Sequence, residues 1–252
     1  MENQRLVFVG GLHKSGTSLL ARCIASHPLV SGFRNTGVPE DEGQHLQTVY
    51  LPASAYGGPG KFGFHPGAHL TETSPLVSSE NRARLLAEWG RYWDTRKALL
   101  LEKSPPNLVR TRFLQGLFPE ACFVIVMRHP LAVACATQKW SKTSIQSLVE
   151  HWLVCHEIFT ADLPHVRNVH VVRYEELVGA PQPTMDRVYG FLGLDAVACE
   201  LDIRPDMNAR YVRGWIEQRN RDGANGESAD PSDLQAYESR VAKHGYDLNL
   251  RR

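Results

Sequence analysis

The segment "RLVFVGGLHKSGTSLLARCIASHP", Arg5 to Pro28, constrains the fold more than any other stretch of the chain. It opens on a short apolar run that ends in glycines, the pattern of a fully buried strand. From Thr17 to Ser26, Leu19, Leu20, Cys23 and Ile24 gather on one helical face. Strand, glycine turn and helix together make the first unit of an α/β fold. Within the turn, Gly11-x-x-x-x-Gly16 has the spacing of a Walker A loop, G-x-x-x-x-G-K-[ST]. Here Thr17 and Ser18 follow the second glycine, and the lysine, Lys14, lies inside the loop.

The rest of the chain continues the pattern. "CFVIVM", Cys122 to Met127, is too apolar for a sheet with one wet face and belongs in a parallel sheet covered on both sides. "ALLLE" (Ala98 to Glu102) and "VHVVRY" (Val169 to Tyr174) read as further central strands. Helical periodicity runs through Asn107 to Phe118, Ser144 to Phe159 and Pro183 to Leu194, the last with Gly193 as its stop. The alternation predicts a three-layer α/β/α fold with a central parallel sheet, and 252 residues suit a single domain. Leu51 to Leu70, rich in glycine and proline, is expected to be a flexible or substrate-shaping loop. Arg221 to Asp233 is expected to be a flexible connection before a last helix, Leu234 to His244, within a C-terminal helical segment at about 205–252.

Composition narrows the partners. With 42% apolar and 22% charged residues the chain can bury a proper core, and its net charge of +1 argues against nucleic acid or an anionic membrane surface. No apolar run approaches the ~20 residues that span a bilayer, so the cytoplasm is the expected location. The five cysteines, Cys23, Cys122, Cys135, Cys155 and Cys199, form no C-x-x-C pair. They are expected to be buried reduced thiols without a metal or disulfide role.

A glycine loop entering a helix N-terminus presents unpaired N–H groups and partial positive charge, which suits phosphate or sulfate. A lysine inside such a loop can reach the bridging oxygen between two anionic groups and stabilise a leaving phosphate without a metal. "GLHKSGTSLL" resembles the 5′-phosphosulfate loop of sulfotransferases that use 3′-phosphoadenosine 5′-phosphosulfate (PAPS). "LEKSPPN", "VIVMRHPLAVA", "VRYEELVGAPQPTMDRVYGFLGL" and "NARYVRGW" resemble the same superfamily, particularly its bacterial, carbohydrate-modifying and tyrosyl-protein members, and occur in the expected order.

The resemblance implies sulfuryl transfer from PAPS to a hydroxyl of a small-molecule or carbohydrate acceptor, metal-independent and in line, with PAP as product. Lys14 would serve the leaving phosphate, and Ser15, Gly16, Thr17 and Ser18 would hold it; His13 either joins them or fills the loop. Arg128, at the end of "CFVIVM", would clamp the 3′-phosphate bidentately. The serine usual eight residues further on is Ala136 here, and Thr137 replaces it only if the helix is shifted. Arg210 or Arg213 could compensate, and Tyr174 is a candidate for adenine contact. Among the acids of "VPEDEGQHL", Glu42 fits the general base best, with Glu40 and His45 as alternatives. Lys103 would lie near the sulfuryl group, with Glu102 orienting it, and Tyr56, Phe62, Phe64, His65 and His69 could line the acceptor pocket. Two other readings stay open: a P-loop kinase of a small molecule and a non-catalytic nucleotide-binding module. The displaced lysine and the lack of an acid after "VIVM" speak against the kinase.

Overall fold

The computed structural model describes residues 4–198, 207–224 and 232–248. Five strands, β1 (Arg5–Gly11), β2 (Val30–Gly32), β3 (Leu99–Lys103), β4 (Cys122–Met127) and β5 (Val169–Arg173), form one parallel sheet in the order β2-β3-β1-β4-β5. The helices are α1 (Thr17–Ala25), α2 (Ser79–Trp89), α3 (Thr111–Leu117), α4 (Pro130–Ser141) and α5 (Ile145–Asp162). They continue with α6 (Tyr174–Gly179), α7 (Pro181–Leu192), α8 (Met207–Ala224), α9 (Ser232–Gln235) and α10 (Glu238–Ala242).

Strand alternation sends Val7, Val9, Leu99, Leu101, Val124 and Val126 to one face, where they meet Leu20 and Ile24 of α1 and Met185 and Val188 of α7. Leu6, Phe8, Leu100 and Phe123 point the other way, against Leu85 and Trp89 of α2 and Phe113 and Leu114 of α3. Ile125 and Met127 meet Val149, Trp152 and Leu153 of α5 on that second face. Helices cover both faces, which is why the strands read as unbroken apolar runs and why β4 is buried along its whole length. The expected three layers are present.

Several local expectations need correction. The helix expected over Asn107 to Phe118 breaks at Arg110 (φ −133°) into a 3₁₀ turn, Pro105–Val109, and α3. The break turns Arg110 inward as a structural tie. Its side chain is buried, and its Nε and Nη2 donate to the carbonyls of Ala68 (3.3 Å) and Leu51 (3.0 Å). One guanidinium thus holds both ends of the segment expected to be a flexible loop. That segment is a packed wrap of 3₁₀ turns, Ala53–Tyr56, Phe62–Phe64 and Pro66–Ala68, with Phe62 fully buried. Near the C-terminus, residues 221–224 belong to α8 rather than to a flexible connection, and 225–231 lie outside the described residues. The expected last helix divides into α9 and α10. Arg240 of α10 pairs with Glu150 (2.7 Å) and Glu157 (2.8 Å) of α5, which anchors the C-terminal segment to the domain.

Cys23, Cys122, Cys135 and Cys155 are buried and form no disulfide among the described residues, and Cys199 lies outside those residues. Among the described residues, no helix is long and apolar enough to cross a membrane.

Candidate active site

α1 leaves β1 toward one face of the sheet, whereas α3 and α5 pack on the other after β3 and β4. Such divergence opens a crevice at the carboxyl ends of the strands, where open α/β sheets bind ligands. A cleft of about 280 Å3 lies there, with His13, Lys14, Glu42, Arg128, Ala136 and Tyr174 in its lining.

The loop between β1 and α1 forms its floor. Gly16 caps α1 with φ +105°, and a Cβ there would stand 2.6 Å from Tyr174 Cδ2, so glycine alone lets the chain pass. No side chain caps α1. Its first-turn N–H groups lack intrahelical partners, and its positive dipole end meets the cleft. Thr17 and Ser18 line the cleft as expected, and Ser18 Oγ donates to Glu40 Oε2 (3.2 Å). Ser15 does not join them: its N–H (3.0 Å) and Oγ (2.6 Å) both donate to the Leu12 carbonyl, so it shapes the loop from within. His13 packs edge-on against Phe62. Desolvation, reinforced by His151, Lys103, Lys14 and His45, pushes its pKa down to about 3, so the ring is neutral.

Lys14 adopts a left-handed backbone (φ 67°), and its Nζ lies 4.3 Å above the ring of Trp140, which is 69% exposed at the mouth of the cleft. Arg128 is buried just past the end of β4. Its Nη1 donates to the Lys14 carbonyl (2.7 Å), its Nε donates to Asn208 Oδ1 (2.7 Å), and its guanidinium stacks 4.1 Å from the Tyr174 ring. The remaining nitrogen, Nη2, is buried and has no hydrogen-bond partner among the described residues. Desolvation lowers the Arg128 pKa, opposed by Tyr174 and Glu175. Asn208 in turn donates to Glu175 Oε1 (2.6 Å), which also accepts from the His129 N–H (3.0 Å), while Tyr246 donates to Glu175 Oε2 (2.9 Å).

The acidic side of the cleft is built from β3 and the turn after β2. Lys103 Nζ donates to the Glu40 carbonyl (2.8 Å) and to Glu42 Oε1 (3.3 Å), and both Lys103 and Glu42 are buried. Gln44 Nε2 donates to Glu42 Oε2, and His45 Nε2 stands 3.9 Å from the same oxygen. Asp41 knots the turn by accepting from the N–H groups of Asn35 (3.2 Å) and Thr36 (2.8 Å) and from Thr36 Oγ1 (2.6 Å). The Thr36 hydroxyl, then its N–H, holds the Asp41 pKa low.

Glu102 makes no hydrogen bond to Lys103, contrary to the orienting role expected for it. It accepts from Ser104 Oγ (2.6 Å) and Asn107 Nδ2 beneath the turn, so close to Gly43 that a Cβ there would lie 2.4 Å from its Cγ. Ser104 Oγ accepts from the Gln44 N–H (2.9 Å), so a buried polar chain links Glu102 to the residue that holds Glu42. Desolvation raises the Glu102 carboxyl from 4.5 to about 7, against its two donors and Lys103. The folded state therefore holds this proton more tightly than the unfolded chain, and stability falls as pH rises from 4.5 through 7, by about 3 kcal/mol for this group. Glu102→Gln is expected to flatten that fall in urea unfolding at either end of the interval. An undiminished slope in the variant would contradict it.

Other expected contacts are not brought to the cleft. Arg210 and Arg213 are exposed on α8 and line a groove of about 750 Å3 against α4 that shares Met207 and Tyr211 with the cleft, so they stand beside it rather than in its lining. Ala136 faces the cleft, whereas Thr137 packs toward Gly60 with its Oγ1 buried and without a partner among the described residues. Tyr56 packs on the ring of His65, His69 pairs with Asp162 (2.9 Å) and Phe62 backs His13 from behind, so none of these aromatics is itself in the cleft lining. Asn208, Glu175, Gln44 and Trp140 are functional candidates to which the sequence motifs assigned no role.

Residues 7–198 match the model of a family described as the sulfotransferase family. The chain belongs to the sulfotransferase family. Among curated relatives it is 27% identical over 225 residues to nodulation protein NoeE of Sinorhizobium fredii (strain NBRC 101917 / NGR234), covering 75% of this chain and 50% of that protein. The chain thus spans about half the length of this curated relative. Among solved structures, the sulfotransferase domain of the Synechococcus PCC 7002 olefin synthase matches with TM-score 0.56 at 18% identity, over 98% of this chain and 97% of that one. The sulfotransferase domain from the curacin biosynthetic pathway matches with TM-score 0.54 at 15% identity, over 98% and 99%. Mouse sulfotransferase SULT7A1 complexed with PAP matches with TM-score 0.50 at 14% identity, over 95% and 84%. At these identities the solved structures speak for the sulfotransferase fold.

Proposed function

We propose that the chain moves a sulfuryl group from PAPS to a hydroxyl of a small-molecule or carbohydrate acceptor and releases PAP. The observation that carries this reading is the buried Nη2 of Arg128, unpartnered among the described residues, in the same cleft as Lys14 and the Glu42–Lys103 pair. A cation with two nitrogens fixed and a third free is suited to a phosphate that distinguishes PAPS from plain adenylates. The donor supplies an activated sulfuryl group; the chain supplies position and charge.

Arg128 binds the 3′-phosphate, with Tyr174 beneath its guanidinium. The uncapped N-terminus of α1 and Thr17 hold the 5′-phosphate, and Lys14 neutralises the charge that gathers there. Glu42, kept in place by Lys103 and Gln44, accepts the acceptor's hydroxyl proton. The acceptor O–S bond forms as the S–O bond to the 5′-phosphate breaks, and that phosphate leaves with the electron pair.

Calorimetric titration tests the reading. In EDTA the chain is expected to bind PAP at least about tenfold more tightly than it binds ATP with magnesium. Preference for ATP with magnesium would replace the proposal with a kinase. PAPS binding without turnover on any acceptor would leave a non-catalytic module.

A further inference from the structure

The cleft continues past Ser18 and Glu40 into a second cavity of about 540 Å3, which runs along α1 toward β2 and has Lys103 in its wall. That volume lies within the range of small-molecule sites, about 300–1,000 Å3. Its position matches a requirement of in-line transfer: the attacking oxygen approaches from the side opposite the leaving phosphate. Arg128 and Tyr174 mark one end of the cleft, with the Tyr174 ring against Gly16. Glu42 also lines the cleft, and its partner Lys103 lines this cavity, so the pair stands where the two spaces adjoin.

The lining has a definite chemistry. Ala21, Ala25, Leu101 and Phe33 make an apolar floor, with the Phe33 ring stacked on Trp93 (5.0 Å between centroids). Its acids are partly engaged. Both Asp41 oxygens accept hydrogen bonds within the turn, and one Glu40 carboxylate oxygen accepts from Ser18 while the Glu40 backbone carbonyl accepts from Lys103. Its two arginines are less so. Among the described residues Arg22 has no hydrogen-bond or ion-pair partner, and Arg34 gives one N–H to the Ala25 carbonyl (3.1 Å) and keeps the rest of its fork.

We propose that this cavity is the acceptor pocket, and that Arg22 and Arg34 select acceptors with an apolar body and an oxyanion, carboxylate or phosphate, remote from the hydroxyl that faces Glu42. The inference rests on the PAPS reading and adds the acceptor class to it. Guanidinium forks bind both oxyanions with charge-assisted hydrogen bonds, whereas an apolar floor offers a neutral polyol few partners.

The test uses the full chain saturated with PAP and two matched pairs of probes. These are 4-hydroxyphenylacetate against 4-hydroxyphenylacetamide, and glycerol 3-phosphate against glycerol, followed by ligand-observed NMR titration. In each pair the anionic member is expected to bind at least about tenfold more tightly. Combined Arg22→Ala and Arg34→Ala should abolish that difference and leave PAP affinity within about twofold, since neither side chain reaches the Arg128 end. Both arginines are exposed, so the variant should keep its circular dichroism and melting temperature. Equal binding of charged and neutral partners, no binding by any probe, or a preference that survives in the double variant would overturn the proposal while a normal PAP isotherm left the donor reading standing. Absence of PAP binding would remove the donor reading, and this one with it.

Discussion

Lys14→Ala is expected to lower sulfuryl-transfer turnover by about 10²–10³-fold, the loss that follows removal of one group aimed at charge developing in a transition state. The fold should survive. Lys14 is exposed, and its ammonium rests on the face of Trp140 at 4.3 Å, a contact worth about 0.5–1 kcal/mol at an exposed site. Release of labelled sulfate ester from PAPS in single-turnover mode reads the chemical step, and the melting temperature reads the fold. Turnover within about twofold of the parent chain would remove Lys14 from the mechanism. Lys14→Arg separates charge from geometry. It restores the charge on a planar fork that the left-handed loop position was not built around, so partial rescue is expected.

Glu42→Gln is expected to lower turnover by about 10²–10⁴-fold while PAP affinity changes by less than about threefold. The carboxylate is buried between two donors, Lys103 Nζ and Gln44 Nε2, so an amide must set its NH2 against one of them. A stability loss of about 1–3 kcal/mol should therefore accompany the kinetic one. Nucleotide affinity tells the two effects apart, because a distorted cleft would weaken PAP as well. Normal turnover in Glu42→Gln would pass the base role to Glu40 or His45; His45 Nε2 already stands 3.9 Å from the Glu42 carboxylate.

The parts of this architecture that the amino-acid order reveals are those where one residue type has one physical use. "CFVIVM" could only be a strand covered on both faces, and Gly193 could stop α7 because it adopts φ +70°. The loop from Gly11 to Gly16 announces an anion site because glycines, hydroxyls and a helix start coincide. β2 escapes notice because three residues, Val30–Gly32, make no pattern and pair along one edge only. α2 escapes because Leu85 and Trp89 are its sole buried side chains, too sparse a stripe to register a helical period. Within the cleft, Lys14, Glu42, Lys103, Arg128 and Tyr174 come together from distant stretches as the resemblance implied. Asn208 and Glu175 could not be foreseen, since what matters in them is a hydrogen bond across 80 or 33 positions. Arg210 and Arg213 show the converse: their charge is visible in the chain, but the face of α8 that carries them, beside the cleft rather than in its lining, is not.

Recognition of PAPS depends most on Arg128 meeting a ribose phosphate. The direct measurement is calorimetry in EDTA of PAP and adenosine 5′-phosphosulfate, which lacks the 3′-phosphate, against the parent chain and Arg128→Ala. Loss of about 10²-fold or more for PAP, with adenosine 5′-phosphosulfate changed by less than about threefold, is the predicted result. Equal losses for both nucleotides, or none for PAP, would contradict it.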